Sequence, residues 1–128
     1  MTRSGRLVIV AALVLGLAGA AAAGDVAGTW TSEFDSQIGK QNYTFVFDVD
    51  GETLTGTATG EHAGDTTEVA ITDGKVVGDE VTFTETIDFQ GQPLRITYEG
   101  TIEGDEIRFD RNVADFVTEK IVARRKTE

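Results

Sequence analysis

The chain has 128 residues, 22 acidic side chains against 11 basic ones, a net charge of −11 and no cysteine. Such a surface repels nucleic acid and anionic lipid, and the lack of cysteine excludes disulfide staples, leaving stability to packing. The acid is interspersed along the whole chain, the pattern of a solvated folded surface rather than of a disordered tail.

At the N-terminus, Arg3 and Arg6 precede an apolar run over 7–17 (LVIVAALVLGL), and small residues lead to Ala21-Ala22-Ala23 before Gly24. This is the layout of a secretory signal peptide with an A-x-A cleavage site. A membrane anchor is the alternative, but a spanning helix needs about 20 apolar residues, and this run dissolves into Ala and Gly. The expected organisation is a signal peptide over 1–23 and a single domain over 24–128, large enough for one core. The expected location is the periplasm or the cell exterior, with no membrane contact after cleavage.

From Gly28 on, Thr, Val, Ile and Phe alternate with polar residues, the period of half-buried strands. The pattern predicts strands near 28–34, 41–49, 52–60, 66–72, 80–89, 94–103, 106–111 and 117–125. A short extra piece at 75–77 lies between two turns. Tight turns allow only neighbours to pair, so the expected fold is all-β, an antiparallel up-and-down eight-stranded barrel. Such a barrel is filled by side chains or holds one small ligand.

The pattern G-x-x-x-G-D-E-[VI]-x-F occurs at 74–83 and again at 100–109, as one hairpin used twice. A Gly104-Asp105 turn pairs Ile102 with Ile107, Gly100 with Phe109 and Tyr98 with Arg111. A loop at 90–93 pairs Phe89 with Leu94, Ile87 with Ile96 and Phe83 with Gly100. An Asp50-Gly51 turn pairs Phe47 with Leu54, Phe45 with Gly56 and Tyr43 with Ala58. Parity is strongly fixed, because a one-residue slip exposes every apolar side chain, whereas a two-residue slip stays open.

The same register puts Glu85 opposite Tyr98, and Tyr98 opposite Arg111, all pointing inward. A buried ion pair bridged by a hydroxyl is one reading, since charges inside must be paired. The other is the polar corner of an apolar ligand pocket. Trp30, the only tryptophan, is either a core plug or the floor of a ligand site. Glu85, Tyr98, Arg111 and Trp30 are therefore the candidate ligand-binding residues.

Other motifs are weaker. Residues 48–52 (DVDGE) look like the middle of a calcium loop, but Val46 and Thr57 stand where the first and last ligands belong, so they read as a hairpin turn. A single histidine, His62, with no cysteine does not make a zinc site. Ser32 and Ser36 have no base nearby in the expected register. A glycosidase needs two carboxylates flanking the bond, and Glu33 alternates away from Trp30 and Phe34. No catalytic set, metal or cofactor is expected.

Gly28-x-Trp30 on a first strand, followed by an eight-stranded meander, resembles the calycin barrels: lipocalins, fatty-acid-binding proteins and avidins. The resemblance implies that the tryptophan closes one barrel end and that a basic residue near the C-terminus, Arg124 or Arg125, packs across it. The chain lacks avidin's run of binding tryptophans, so biotin binding is not implied.

Gly28-Thr29-Trp30, Glu33-Phe34-Asp35, Gln37-Ile38-Gly39, Phe89-Gln90-Gly91 and Asp115-Phe116 are together similar to an uncharacterised group of secreted bacterial domains. These occur alone or beside esterase- or xylanase-type catalytic domains. That implies association with polysaccharide breakdown, not catalysis by the barrel itself.

Three functions remain in view. The first is an exported, non-enzymatic module binding a small apolar or carbohydrate ligand. The second is an inhibitor or protein-interaction module using the loops at 35–41 and 112–116. The third is a small glycan-active or ester hydrolase. A wide cavity around Glu85 and Arg111 favours the first, and a filled interior with exposed apolar loops favours the second.

Overall fold

Alternation of apolar and polar residues drives the chain into strands, and nearly all of them bury one face in a common core, the stretch 65–70 contributing only the half-buried Val69. The computed structural model describes residues 26–36 and 38–126. The expected signal peptide over 1–23 lies outside them, as does Gln37. The strands are β1 (Gly28–Ser36), β2 (Gly39–Asp50), β3 (Thr53–His62), β4 (Asp65–Ala70), β5 (Thr72–Val77), β6 (Glu80–Phe89), β7 (Gln92–Glu103), β8 (Glu106–Val113) and β9 (Val117–Arg125).

Every pairing is antiparallel, and β9 pairs with β1 through Arg124↔Thr31 and Arg125↔Trp30, closing the sheet. β4 and β5 share one lane beside β3, which pairs with β4 along 57–62 and with β5 through Thr53↔Lys75 and Leu54↔Gly74. The lane shifts register by one residue around Asp73, which sits at φ 54°. This is a β-bulge, which bends a strand and sharpens its twist. The separate pieces expected at 66–72 and 75–77 are therefore one interrupted strand, and the protein is a closed eight-stranded antiparallel barrel.

Outside this bulge parity holds, and register departs from expectation in two hairpins. The Gly104-Asp105 turn gives Ile102↔Ile107, Gly100↔Phe109 and Tyr98↔Arg111, as the sequence predicts. The β2–β3 turn is Gly51-Glu52 rather than Asp50-Gly51, so Phe47 faces Gly56, Phe45 faces Ala58 and Tyr43 faces Gly60. In the turns starting at Gly51, Gly78 and Gly104, glycine takes the first central place with φ of 64°, 61° and 65°, a conformation costly for other residues. One rule thus sets all three turns, and reading Asp50 into the turn broke it.

The β6–β7 turn is Gln90-Gly91, with φ of 56° and 82°. Two consecutive positive values define a tight two-residue hairpin. Phe89 therefore pairs with Gln92 rather than Leu94, Phe83 with Tyr98, and Glu85 with Ile96 rather than Tyr98.

The core is layered along the barrel axis. At one end Trp30 is fully buried, and its indole Nε1 donates to the Val26 carbonyl at 2.8 Å. The Arg125 guanidinium lies 4.4 Å from the Trp30 ring centroid and also donates to the Ala27 carbonyl and to Asp105. Of the two arginines the resemblance offered, Arg125 closes this end. Above it Phe45, Phe47, Phe83, Tyr98 and Phe109 interlock, with Phe83 and Tyr98 stacked 4.4 Å apart. Small residues make room for them. A Cβ on Gly100 would stand 2.4 Å from the Phe109 ring, so the aromatic pile fixes that glycine by packing alone.

Candidate functional site

Beyond the aromatic pile, the inward positions of four strands carry polar groups. Parity places Tyr43 of β2, Glu85 of β6, Tyr98 of β7 and Arg111 of β8 in one layer. The Tyr43 hydroxyl donates to Glu85 Oε2 at 2.8 Å, and the Tyr98 hydroxyl donates to Glu85 Oε1 at 2.7 Å. Arg111 Nε donates to the Tyr98 hydroxyl at 2.9 Å, and its Nη2 donates to the Tyr43 hydroxyl at 3.2 Å. Each phenol accepts from the guanidinium and passes a hydrogen bond on to the carboxylate. The buried pair is bridged by two hydroxyls rather than one.

Arg111 has a second carboxylate. Its Nη1 donates to Glu119 Oε1 at 2.7 Å. The guanidinium is also flanked by the rings of Phe34, Tyr43 and Tyr98, at 5.1, 5.2 and 5.8 Å from their centroids. Burial works against the Arg111 charge, but the phenols and Glu119 outweigh it and hold the guanidinium protonated. Burial pushes the Glu85 carboxyl above its usual value, against the opposing pull of Tyr98, Tyr43 and Arg111. Burial, followed by the Glu85 charge, likewise raises both phenols.

On its outer side this layer floors an open cleft of about 290 Å³ at the barrel mouth. The walls are apolar, with Ile38, Ile87, Leu94, Ile96, Val113 and Val117 among them. Phe116 and Ile38 stand at the rim, 86% and 60% exposed. Gln41, Tyr43, Arg111 and Glu119 supply the polar floor. Gln41 is buried, and its amide nitrogen donates to Ser36 Oγ at 2.8 Å. Among the described residues no donor reaches its carbonyl oxygen.

Of the four residues singled out from sequence, the structure brings Glu85, Tyr98 and Arg111 together and sets Trp30 apart. Trp30 pairs with Arg125, while Arg111 pairs with Glu119, six residues earlier on β9. Strand rise makes that about 20 Å. Trp30 is fully buried and does not line the cleft. Although Glu85 sits opposite Ile96, its carboxylate still reaches the Tyr98 hydroxyl on the diagonal.

Tyr43, Glu119 and Gln41 are additions to the sequence reading. Glu119 was legible, since it shares the inward parity of Val117, Ile121 and Ala123. Tyr43 shares the parity of Phe45 and Phe47, but its contact with Glu85 crosses the barrel between strands that are not neighbours, and hairpin register says nothing of that.

The remaining candidates have local partners. Ser32 donates to the Val122 carbonyl and Ser36 to the Gly39 carbonyl. The His62 ring contacts the Ile38 carbonyl at 2.5 Å and ties the 38–39 turn to β3. Glu33 lies outside, near Lys40. No cluster of three metal-ligating side chains occurs among the described residues. No known family model matches the chain, and comparison with curated proteins finds no match.

Proposed function

We propose that this protein is an exported, non-enzymatic barrel that holds a small apolar ligand in its mouth. One observation carries the reading: an open cleft with apolar walls over a rigid, hydrogen-bonded polar floor, the usual composition of a small-molecule site. Its volume lies at the lower edge of the usual range of roughly 300–1,000 Å³, which suits a short chain or a single ring. The walls favour an apolar ligand over a carbohydrate.

The calycin resemblance supports the same reading, because the Trp30–Arg125 end is shut and the opposite end is open. The signal-peptide pattern of residues 1–23 supports export. Association with polysaccharide breakdown rests on the resemblance to secreted domains alone. Hydrolysis is the least supported reading. Of the two inward carboxylates among the described residues only Glu119 faces the cleft, and Glu85 lies behind the phenols.

The exposed Phe116 and Ile38 favour a second reading, in which the rim grips an apolar side chain of a partner protein. Titrating 1-octanol into the purified protein and following amide NMR shifts tests the first. Saturable shifts at Ile38, Leu94, Val113 and Phe116 are expected. Their absence overturns the small-ligand reading and leaves the rim reading.

A further inference from the structure

The floor of the cleft also bears on what kind of head group a ligand carries, given that the cleft is the binding site. Arg111 is the only cation among the cleft residues, and it is already committed. Nε and Nη2 donate to the two phenols, and Nη1 donates to Glu119 at 2.7 Å. The side chains of Arg111 and Glu119 are only 4% and 14% exposed, so water screens this pair weakly. We propose that Glu119 makes the cleft selective for an uncharged head group, by occupying the guanidinium that a ligand carboxylate would need.

Charge bookkeeping gives the reason. Glu119, and Glu85 behind the phenols, set two carboxylates against one guanidinium. A ligand carboxylate would add a third acid and would have to displace Glu119, leaving a shielded charge without its partner. An ammonium head would face Glu119 but also the Arg111 guanidinium bonded to it at 2.7 Å, so attraction and repulsion largely offset while the cost of taking the ammonium out of water stands. An amide or hydroxyl head meets neither obstacle. It can also donate to the Gln41 carbonyl oxygen, which no donor among the described residues reaches. The ligand class is therefore a small apolar molecule ending in a primary amide or alcohol.

The test is an affinity series at constant chain length: octanamide, octanoate and octylammonium, titrated calorimetrically into wild type and Glu119→Gln. In wild type, octanamide should bind at least about tenfold tighter than either charged head. Glutamine keeps an acceptor for Arg111 Nη1 but carries no charge, so in Glu119→Gln the octanamide-to-octanoate ratio should fall by about tenfold or more. Melting curves of both proteins report the fold, and the wild-type series stands alone if the variant does not fold. A charged head binding wild type as tightly as octanamide overturns the inference while the cleft survives as a site, and so does an unchanged ratio in a folded Glu119→Gln. Failure of all three compounds to bind overturns the cleft reading beneath it.

Discussion

Glu85 and Arg111 could be read as inward-pointing charges from the two-residue period alone, and Tyr98 with them. Their exact partners could not, because those depend on a register that parity leaves open by two residues. The structure gives them a bridged arrangement that predicts a sign pattern. Arg111→Met leaves Glu85 charged and unpaired behind the phenols, a loss of about 3–5 kcal/mol. Adding Glu85→Leu removes the more deeply buried of the two carboxylates left behind, Glu119 being the other, and should restore part of that. Chemical denaturation of the two single variants and the double variant measures the coupling. A coupling below about 0.5 kcal/mol would mean that the bridge carries no interaction.

Acidity tests the same residue from another side. Burial holds the Glu85 carboxyl above its usual 4.5, so near and above that pH the folded protein retains a proton that the unfolded chain has released. On the account of Glu85 alone, stability is greatest below 4.5 and falls as pH rises through the raised value. Surface acids titrate as well, so the useful quantity is the stability of wild type minus that of Glu85→Gln. This difference should move in favour of wild type as pH is lowered from about 7 towards 4.5. Movement the other way contradicts the burial account.

At the scale of elements, strand positions and faces were legible because the alternation is long and unbroken. Register was not, because it depends on which two residues turn. Gly104-Asp105 was read correctly, whereas Asp50-Gly51 and the 90–93 loop were each displaced by two. The broken lane of β4 and β5 escaped for a related reason: a bulge adds one residue and reverses parity midway, which looks like two short strands. The Gln90-Gly91 turn offers a direct check. Gln90 adopts φ 56°, a region asparagine tolerates better than most residues. Gln90→Asn should therefore stabilise by roughly 0.5 kcal/mol, visible in the urea midpoint. A loss would mean that this turn does not set the hairpin.

For the whole molecule, eight lanes and one shut end could be argued from Gly28-x-Trp30, the turn spacing and a basic residue at 124 or 125. Whether the barrel is filled could not, because that depends on rings from non-adjacent strands meeting across the axis, as Phe45 meets Phe83 and Tyr98. They do meet, and the cleft at the barrel mouth lies beyond the polar layer. The central claim is that binding belongs to this open end alone. Intermolecular nuclear Overhauser contacts between bound octanamide and the methyl groups of the protein test it most directly. The account predicts contacts to Ile38, Leu94, Val113 and Val117. Contacts instead to Val76, Val81 and Ile107 in the filled half, or to Val46 and Val77 on the outer wall, would contradict it.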